Sequence, residues 1–202
     1  MDTALKDTAD GRVQRGRRNR QAVIDALLDL CEEGDIRPGA AAIAQRAGLA
    51  TRSVFHHFDD LESLLADAIE TQSRRHWHVL GPVDPALPLS DRVEAVISQR
   101  ACLFERIGHV RRAGVAREHE SANLARHLAR SRRALAAHLR ENLSPEIKAI
   151  SGPARSGLEA MASWEAWESL RANQSLAAGQ AEAAVVRVVL LCLTSGAIDA
   201  VV

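Results

Sequence analysis

Almost no stretch of this chain alternates β-branched and polar residues with the period of two that a half-buried strand requires, while apolar residues return every three or four positions along most of its length. The chain carries 36 alanines and no tyrosine, which pushes the same way, since alanine is the strongest helix former and aromatic side chains favour strands. The expectation is an all-α protein with sheet content near zero. At 202 residues, 47% hydrophobic and 26% charged, the chain can bury one or two real cores, which excludes a disordered or disulfide-stapled peptide.

Glycine, proline and capping residues divide the helical pattern. Residues 1–19 read as a flexible basic arm; from Gly11 through the first residue after it, Arg12, Arg15, Arg17, Arg18 and Arg20 occur with no acid among them. A helix from about 20 to 33 follows, with Ile24, Leu27, Leu28 and Cys31 on one face and Asp25, Asp29 and Glu33 on a wet one, ended by Gly34. A short helix over 39–48 and another over 51–57 are joined at Gly48-Leu49-Ala50. A fourth runs from after Phe58 to Val79, with Asp59 as N-cap and Glu62 in capping-box spacing. The segment from Gly81 to Leu89 holds three of the six prolines and reads as the linker, so the expected division is 20–80 and 81–202. Further helices are expected at about 90–107, 109–118, 121–143, 145–151, 154–173 and 178–195, punctuated by Ser90, Ser144-Pro145 and Gly152-Pro153.

Twenty-six basic residues balance 26 acidic ones, so any anionic partner must be met by a local patch. Only Lys6 and Lys148 are lysines, and the remaining arginines favour planar contacts to carboxylate or phosphate. Cys31, Cys102 and Cys192 are odd in number and set among apolar residues, as expected of buried thiols in a reducing compartment. The N-terminus has no signal-peptide core, and the longest apolar stretch, Ala183 to Ile198, is broken by Arg187. A cytoplasmic protein without membrane partner is expected. His76 and His78 point to different helix faces, and His119-Glu120 lacks the second histidine of a zinc motif. With no nucleophile elbow and no phosphate-cradling glycine loop, neither metal, cofactor nor enzymatic activity is expected.

Two short helices joined at a glycine, preceded by a supporting amphipathic helix, describe a helix-turn-helix unit for double-stranded DNA. Ala44 and Ala47 are small enough for close helix approach, Gly48 supplies the turn, and Val54 and Phe58 can face a core. That leaves Thr51, Arg52, Ser53, Phe55, His56 and His57 for a DNA groove. Between Gly39 and Phe58 the only charges are Arg46 and Arg52, both positive. A plain helical hairpin with a solvated polar face has the same spacing.

The run Ile43-Ala44-Gln45-Arg46-Ala47-Gly48-Leu49-Ala50, then Ser53-Val54-Phe55-His56-His57-Phe58, Asp60, Glu62 and Leu64-Leu65, resembles the DNA-binding signature of the TetR family of bacterial transcriptional regulators. A weaker similarity, from Ser163 to Arg171 and from Leu143 to Ile147, resembles the C-terminal domain of one branch of such regulators. The resemblance implies a three-helix DNA-binding domain followed by a helical bundle for effector binding and dimerisation. It further implies a repressor, associated with the nucleoid when bound, that a small molecule releases from a palindromic operator. Thr51, Arg52, Ser53 and His56 would read base edges, with Phe55 and His57 on the phosphate backbone. Three positions depart from the pattern: Phe55 replaces a usual tyrosine, Leu61 a frequent lysine, and Gly39-Ala40 a usual Ser or Thr cap. The five arginines of the arm are expected to supply the phosphate contacts these departures remove, the alternative being a solvated tail; Arg15, Arg17 and Arg18, with Arg46, join the expected DNA contacts.

The last long helix is apolar nearly all round and needs cover on both sides. Ala181, Ala184, Val185, Val188, Leu191 and Cys192 are the expected homodimer face, with Val186, Val189, Leu190 and Leu193 opposite. A central core helix in a monomer is the alternative. Phe104, Met161, Trp164 and Trp167, with His109, His119, Glu165 and Arg171 as polar anchors, are the candidates for a small-molecule effector pocket. The alternative function is a helical ligand- or protein-binding dimer with little specific DNA affinity.

Overall fold

The computed structural model describes the backbone of residues 3–195 and the side chains of 11–194. The first two residues of the basic arm and residues 196–202, which include the last three of the apolar stretch, lie outside the described residues. Ten α-helices and no strand occur among the described residues: α1 (Thr3–Glu32), α2 (Ala40–Ala47), α3 (Thr51–His57), α4 (Leu61–His76), α5 (Leu89–Ala116), α6 (Ala122–Asn142), α7 (Glu146–Ala149), α8 (Gly152–Met161), α9 (Trp164–Glu168) and α10 (Ala178–Ser195). The all-α expectation holds, and no described helix is long and apolar enough to cross a membrane.

Several boundaries differ from the sequence reading. The segment expected as a flexible arm is helical, because α1 starts at Thr3 rather than near Arg20. Once a helix is nucleated each added residue gains a hydrogen bond, and good helix formers outnumber Gly11 and Gly16 there. The helices expected at 90–107 and 109–118 are one, α5, with Gly108 and Gly114 both buried inside it. Conversely, the single helix expected over 154–173 is divided, because the Ser163 hydroxyl caps a new helix by accepting from the Ala166 N–H at 3.2 Å. A π-helical turn, Ser169–Asn173, follows it. The N-cap of α4 is Asp60, not Asp59: Asp60 Oδ1 accepts from the Ser63 N–H at 2.6 Å.

The chain forms two compact units that alternate along it. Unit 1 runs to Ser73 and takes in 109–128; unit 2 comprises 74–108 and everything from Ala129. The expected linear division at 80/81 does not separate them, because the end of α5 and the start of α6 belong with the N-terminal helices. Val110, Ala113, Leu124 and Leu128 pack in the same core as Ile24, Leu27, Leu28, Cys31, Ile43, Val54, Phe58, Leu64 and Ile69. Polar clips hold them there: Arg37 Nη2 donates to Ala116 O at 3.2 Å and to Glu120 at 3.1 Å, and Arg117 pairs with Glu62 at 3.4 Å.

Unit 2 has its own core, built on Val93, Val96 and Ile97 of α5, Leu139 of α6 and Leu143 just beyond it, Ile147, Leu158, and Val185, Val189 and Leu193 of α10. Its linker is pinned by side chains: Gln99 Oε1 accepts from the Gly81 N–H at 3.0 Å and Asn142 Oδ1 from the Val83 N–H at 2.7 Å. The buried Arg92 donates to Leu87 O at 3.2 Å and pairs with Glu146. Cys31 is buried, and desolvation, reinforced by the nearby Asp35 carboxylate, pushes its thiol up to about 11, so it is a small hydrophobe at neutral pH. Cys102, expected inside, is exposed.

Candidate nucleic-acid interface

The turn between α2 and α3 is made where a left-handed residue is needed. Gly48 sits at φ 66° and ψ 32°, and the Leu49 N–H reaches back to Ala44 O at 2.9 Å, satisfying a terminal carbonyl of α2. Ile43 and Ala44 of α2 and Val54 of α3 are buried, which fixes the roll of α3. Thr51, Arg52, Phe55 and His56 are consequently exposed, Phe55 to 52%, with Ser53 and His57 half-buried beside them. An aromatic ring left that open on an otherwise polar face is available to an external partner.

The helical extension of α1 meets this face. Arg12, Arg15, Gly16 and Asn19, at positions i, i+3, i+4 and i+7, lie on one side of α1 and line a cleft whose other wall is Arg52, Ser53, His56 and His57. The cleft measures about 440 Å³, and no carboxylate is among its lining residues. Arg20 steadies the approach of α1, since its guanidinium pairs with Asp67 and lies 4.6 Å from the centre of the Phe58 ring. The His56 and His57 rings meet edge-on at 5.2 Å. Desolvation, then the neighbouring His56 and Arg20 charges, hold the His57 imidazole below its ordinary value, so it is neutral at pH 7.

The structure thus brings together five of the ten expected DNA contacts, Arg15, Arg52, Ser53, His56 and His57, in one cleft. Thr51 and Phe55 lie on the same exposed helix, whereas Arg17 and Arg18 are exposed but do not line the cleft. Arg46 is committed elsewhere: its two terminal nitrogens donate to the two oxygens of Glu33 at 2.9 and 2.7 Å. Arg12 was singled out only as one of the arm's arginines, and Gly16 and Asn19 escaped the sequence reading, although the helical period of α1, continued backwards, carries all three. The N-cap of α2, Gly39, makes no side-chain capping bond, as the departure at that position implies.

The expected effector set divides between the two units. His109 and His119 belong to unit 1 and the other six to unit 2, and His119 stands in solvent on a 3₁₀ turn. Phe104, Met161 and Trp167 do line a common cavity, but at about 10 Å³ it holds no more than a water. Arg171 is fastened to Glu105 through two bonds of 2.9 Å, and the Trp167 indole N–H donates to the same carboxylate at 2.9 Å. Trp164 and Glu165 border a different cleft of about 190 Å³. The expected dimer face also needs correction, because Ala181 and Val185 form the inward stripe of α10 with Val189 and Leu193. Ala184, Val188 and Cys192 are half-buried and Leu191 is exposed.

No family model matches the sequence, and no curated protein matches it. Solved structures share its fold. A transcriptional regulator from Rhodococcus sp. Rha1 superposes with a TM-score of 0.61 at 22% identity, over 90% of this chain and 97% of that one. A proposed transcriptional regulator of Streptomyces coelicolor A3(2) gives 0.60 at 22% identity, over 85% of this chain and 98% of that one. A proposed transcriptional regulator of Pseudomonas aeruginosa PAO1 gives 0.59 at 21% identity, over 91% and 92%.

Proposed function

We propose that the chain is a DNA-binding transcriptional regulator of the TetR type, a repressor that occupies a palindromic operator as a homodimer and is released by a small-molecule effector. The observation that carries the DNA reading is the acid-free cleft in which Arg12 and Arg15 of α1 face Arg52 and His56 of α3. On this face, α3 presents base-reading donors and acceptors at Arg52, Ser53 and His56 in the cleft and at Thr51 beside it, and the α1 arginines neutralise phosphates. The shared fold with regulators and the TetR-like run from Ile43 to Leu65 support the same reading. Two recognition helices about 34 Å apart would match a palindrome, and exposed Leu191 with half-buried Ala184 and Val188 is the surface left on α10 for a partner. An effector would act by favouring a dimer geometry whose spacing no longer fits the operator.

The test is fluorescence anisotropy of the purified chain against fragments of its own upstream DNA, with Arg52→Ala beside it. The proposal expects saturable, sequence-selective binding with two chains per site, weakened by the substitution. Weak, sequence-indifferent binding at every salt concentration favours the helical ligand- or protein-binding dimer instead, a reading to which the engagement of Arg46 by Glu33 lends weight.

A further inference from the structure

We propose that the second cleft, wholly within unit 2, binds a small organic carboxylate, an aliphatic or single-ring acid whose carboxylate meets Arg100 while its apolar body lies against Leu135, Leu139 and Trp164. Binding stands on the cleft alone; that this acid is the effector rests on the regulator reading.

Arg100 is 2% exposed, yet it has no carboxylate within ion-pair distance among the described residues. Its Nε donates to Ala162 O at 2.9 Å, capping the end of α8, and its Nη1 donates to Leu135 O on α6 at 2.9 Å. The Phe104 ring lies 5.8 Å from its guanidinium carbon. These contacts fix the plane of the fork but use two of the five N–H donors an arginine carries. Its Nη2 has no protein hydrogen bond among those of the described residues, and the side chain borders the cleft.

Burial pushes the Arg100 guanidinium down to about 10, so it stays cationic at neutral pH. Arg132, Glu159 and Glu165 also line the cleft, and the Glu159 charge partly offsets the effect of burial on Arg100 without pairing with it. Glu165 pairs with Arg132 at 2.9 Å, and Glu159 is held by Arg140 through bonds of 2.7 and 3.0 Å. The cleft therefore carries one pre-oriented cation without an ion-pair partner beside an apolar wall. A carboxylate supplies both the missing charge and acceptors suited to a planar fork, which an amide or an amine does not. The volume of about 190 Å³, roughly six waters at liquid density, limits the acid to a short chain or one ring.

The test is isothermal titration of the full chain with sodium hexanoate and with benzoate, with hexanamide as the uncharged isostere, and with quenching of tryptophan emission as a second readout. The acids should bind with dissociation constants between about 10 μM and 1 mM, the range open to ligands of eight or nine heavy atoms. Hexanamide should bind at least about tenfold more weakly. Arg100→Gln should abolish the preference for acid over amide. Because that variant can fail to fold, Ala136→Phe, which adds a ring to the α6 wall of the cleft and leaves Arg100 in the sequence, should block binding while the circular dichroism spectrum and melting temperature persist. Equal binding of hexanoate and hexanamide, no binding of either acid up to about 10 mM, or unchanged binding by folded Ala136→Phe would overturn the proposal. DNA anisotropy without acid tests the regulator reading separately. Acid binding that leaves DNA affinity unchanged supports the cleft and overturns the effector assignment.

Discussion

Replacing Gly114 by alanine places a Cβ 2.6 Å from Ile69 Cδ1, well inside carbon–carbon contact, while the next neighbours, Ile69 Cγ1 and Leu128 Cδ2, stand at 3.7 Å. Ile69 is only 6% exposed, so its terminal methyl cannot swing into solvent and must displace packed neighbours. Overpacking of this kind costs about 1–3 kcal/mol, against about 1 kcal/mol gained when a mid-helix glycine becomes alanine. Gly114→Ala alone should therefore destabilise by about 1 kcal/mol. Ile69→Val deletes the clashing methyl and by itself costs about 0.5–1.5 kcal/mol. In that background Gly114→Ala should turn stabilising, by up to about 1 kcal/mol, which makes a coupling energy of about 2 kcal/mol. Urea unfolding of the four proteins, followed by circular dichroism and compared at constant m, measures the cycle. Additivity within about 0.5 kcal/mol would refute the claim that the end of α5 is packed into unit 1 against α4.

Three further outcomes follow from named contacts. Gly48→Ala should cost about 1 kcal/mol and weaken DNA binding, because the turn needs the left-handed φ of 66°; a melting curve unchanged from wild type would contradict it. Desolvation by burial, then Arg100, holds His138 below its ordinary value, and its Nδ1 is buried without a partner. The unfolded chain then binds the proton more readily, so stability is complete above about pH 6.5 and falls as the pH drops below it. His138→Gln should flatten the stability profile between about pH 7 and 5, measured by urea midpoints. Glu33→Gln should release Arg46 and steepen the salt dependence of DNA binding by about one counterion per chain.

The helix-turn-helix was legible because each requirement is local: small Ala44 and Ala47, a left-handed Gly48, and buried Val54 set the geometry within fifteen positions. The extension of α1 was not, since a charge-rich run with two glycines reads as a tail until a neighbouring helix gives it a face. Gly108 and Gly114 read as breaks for the opposite reason: burial inside α5 overrides their poor propensity, and for Gly114 close approach to Ile69 explains why no side chain stands there. The roll of α10 was ambiguous because apolar residues surround it, and only packing distinguishes Val185, which faces the core, from Val188, which does not. Arg100 and His138 gave no signal at all. A charged or polar residue on a helix is read as solvated, and what buries these two are carbonyls and side chains far away in sequence: Ala162 O and Leu135 O for Arg100, Gln99 for His138.

The central claim is that α3 reads sequence while the arginines of α1 neutralise phosphate in the same cleft, and the salt dependence of DNA binding divides the two roles. Arg12→Ala/Arg15→Ala removes two cations per chain from the cleft, which at about 0.9 counterion per phosphate lowers the slope of log K against log salt by about 1.8 per chain. The account predicts that this variant binds a selected operator with the shallower slope and undiminished sequence preference, whereas Arg52→Ala loses the preference. A slope unchanged by removing both arginines, or a preference that survives Arg52→Ala, would contradict it.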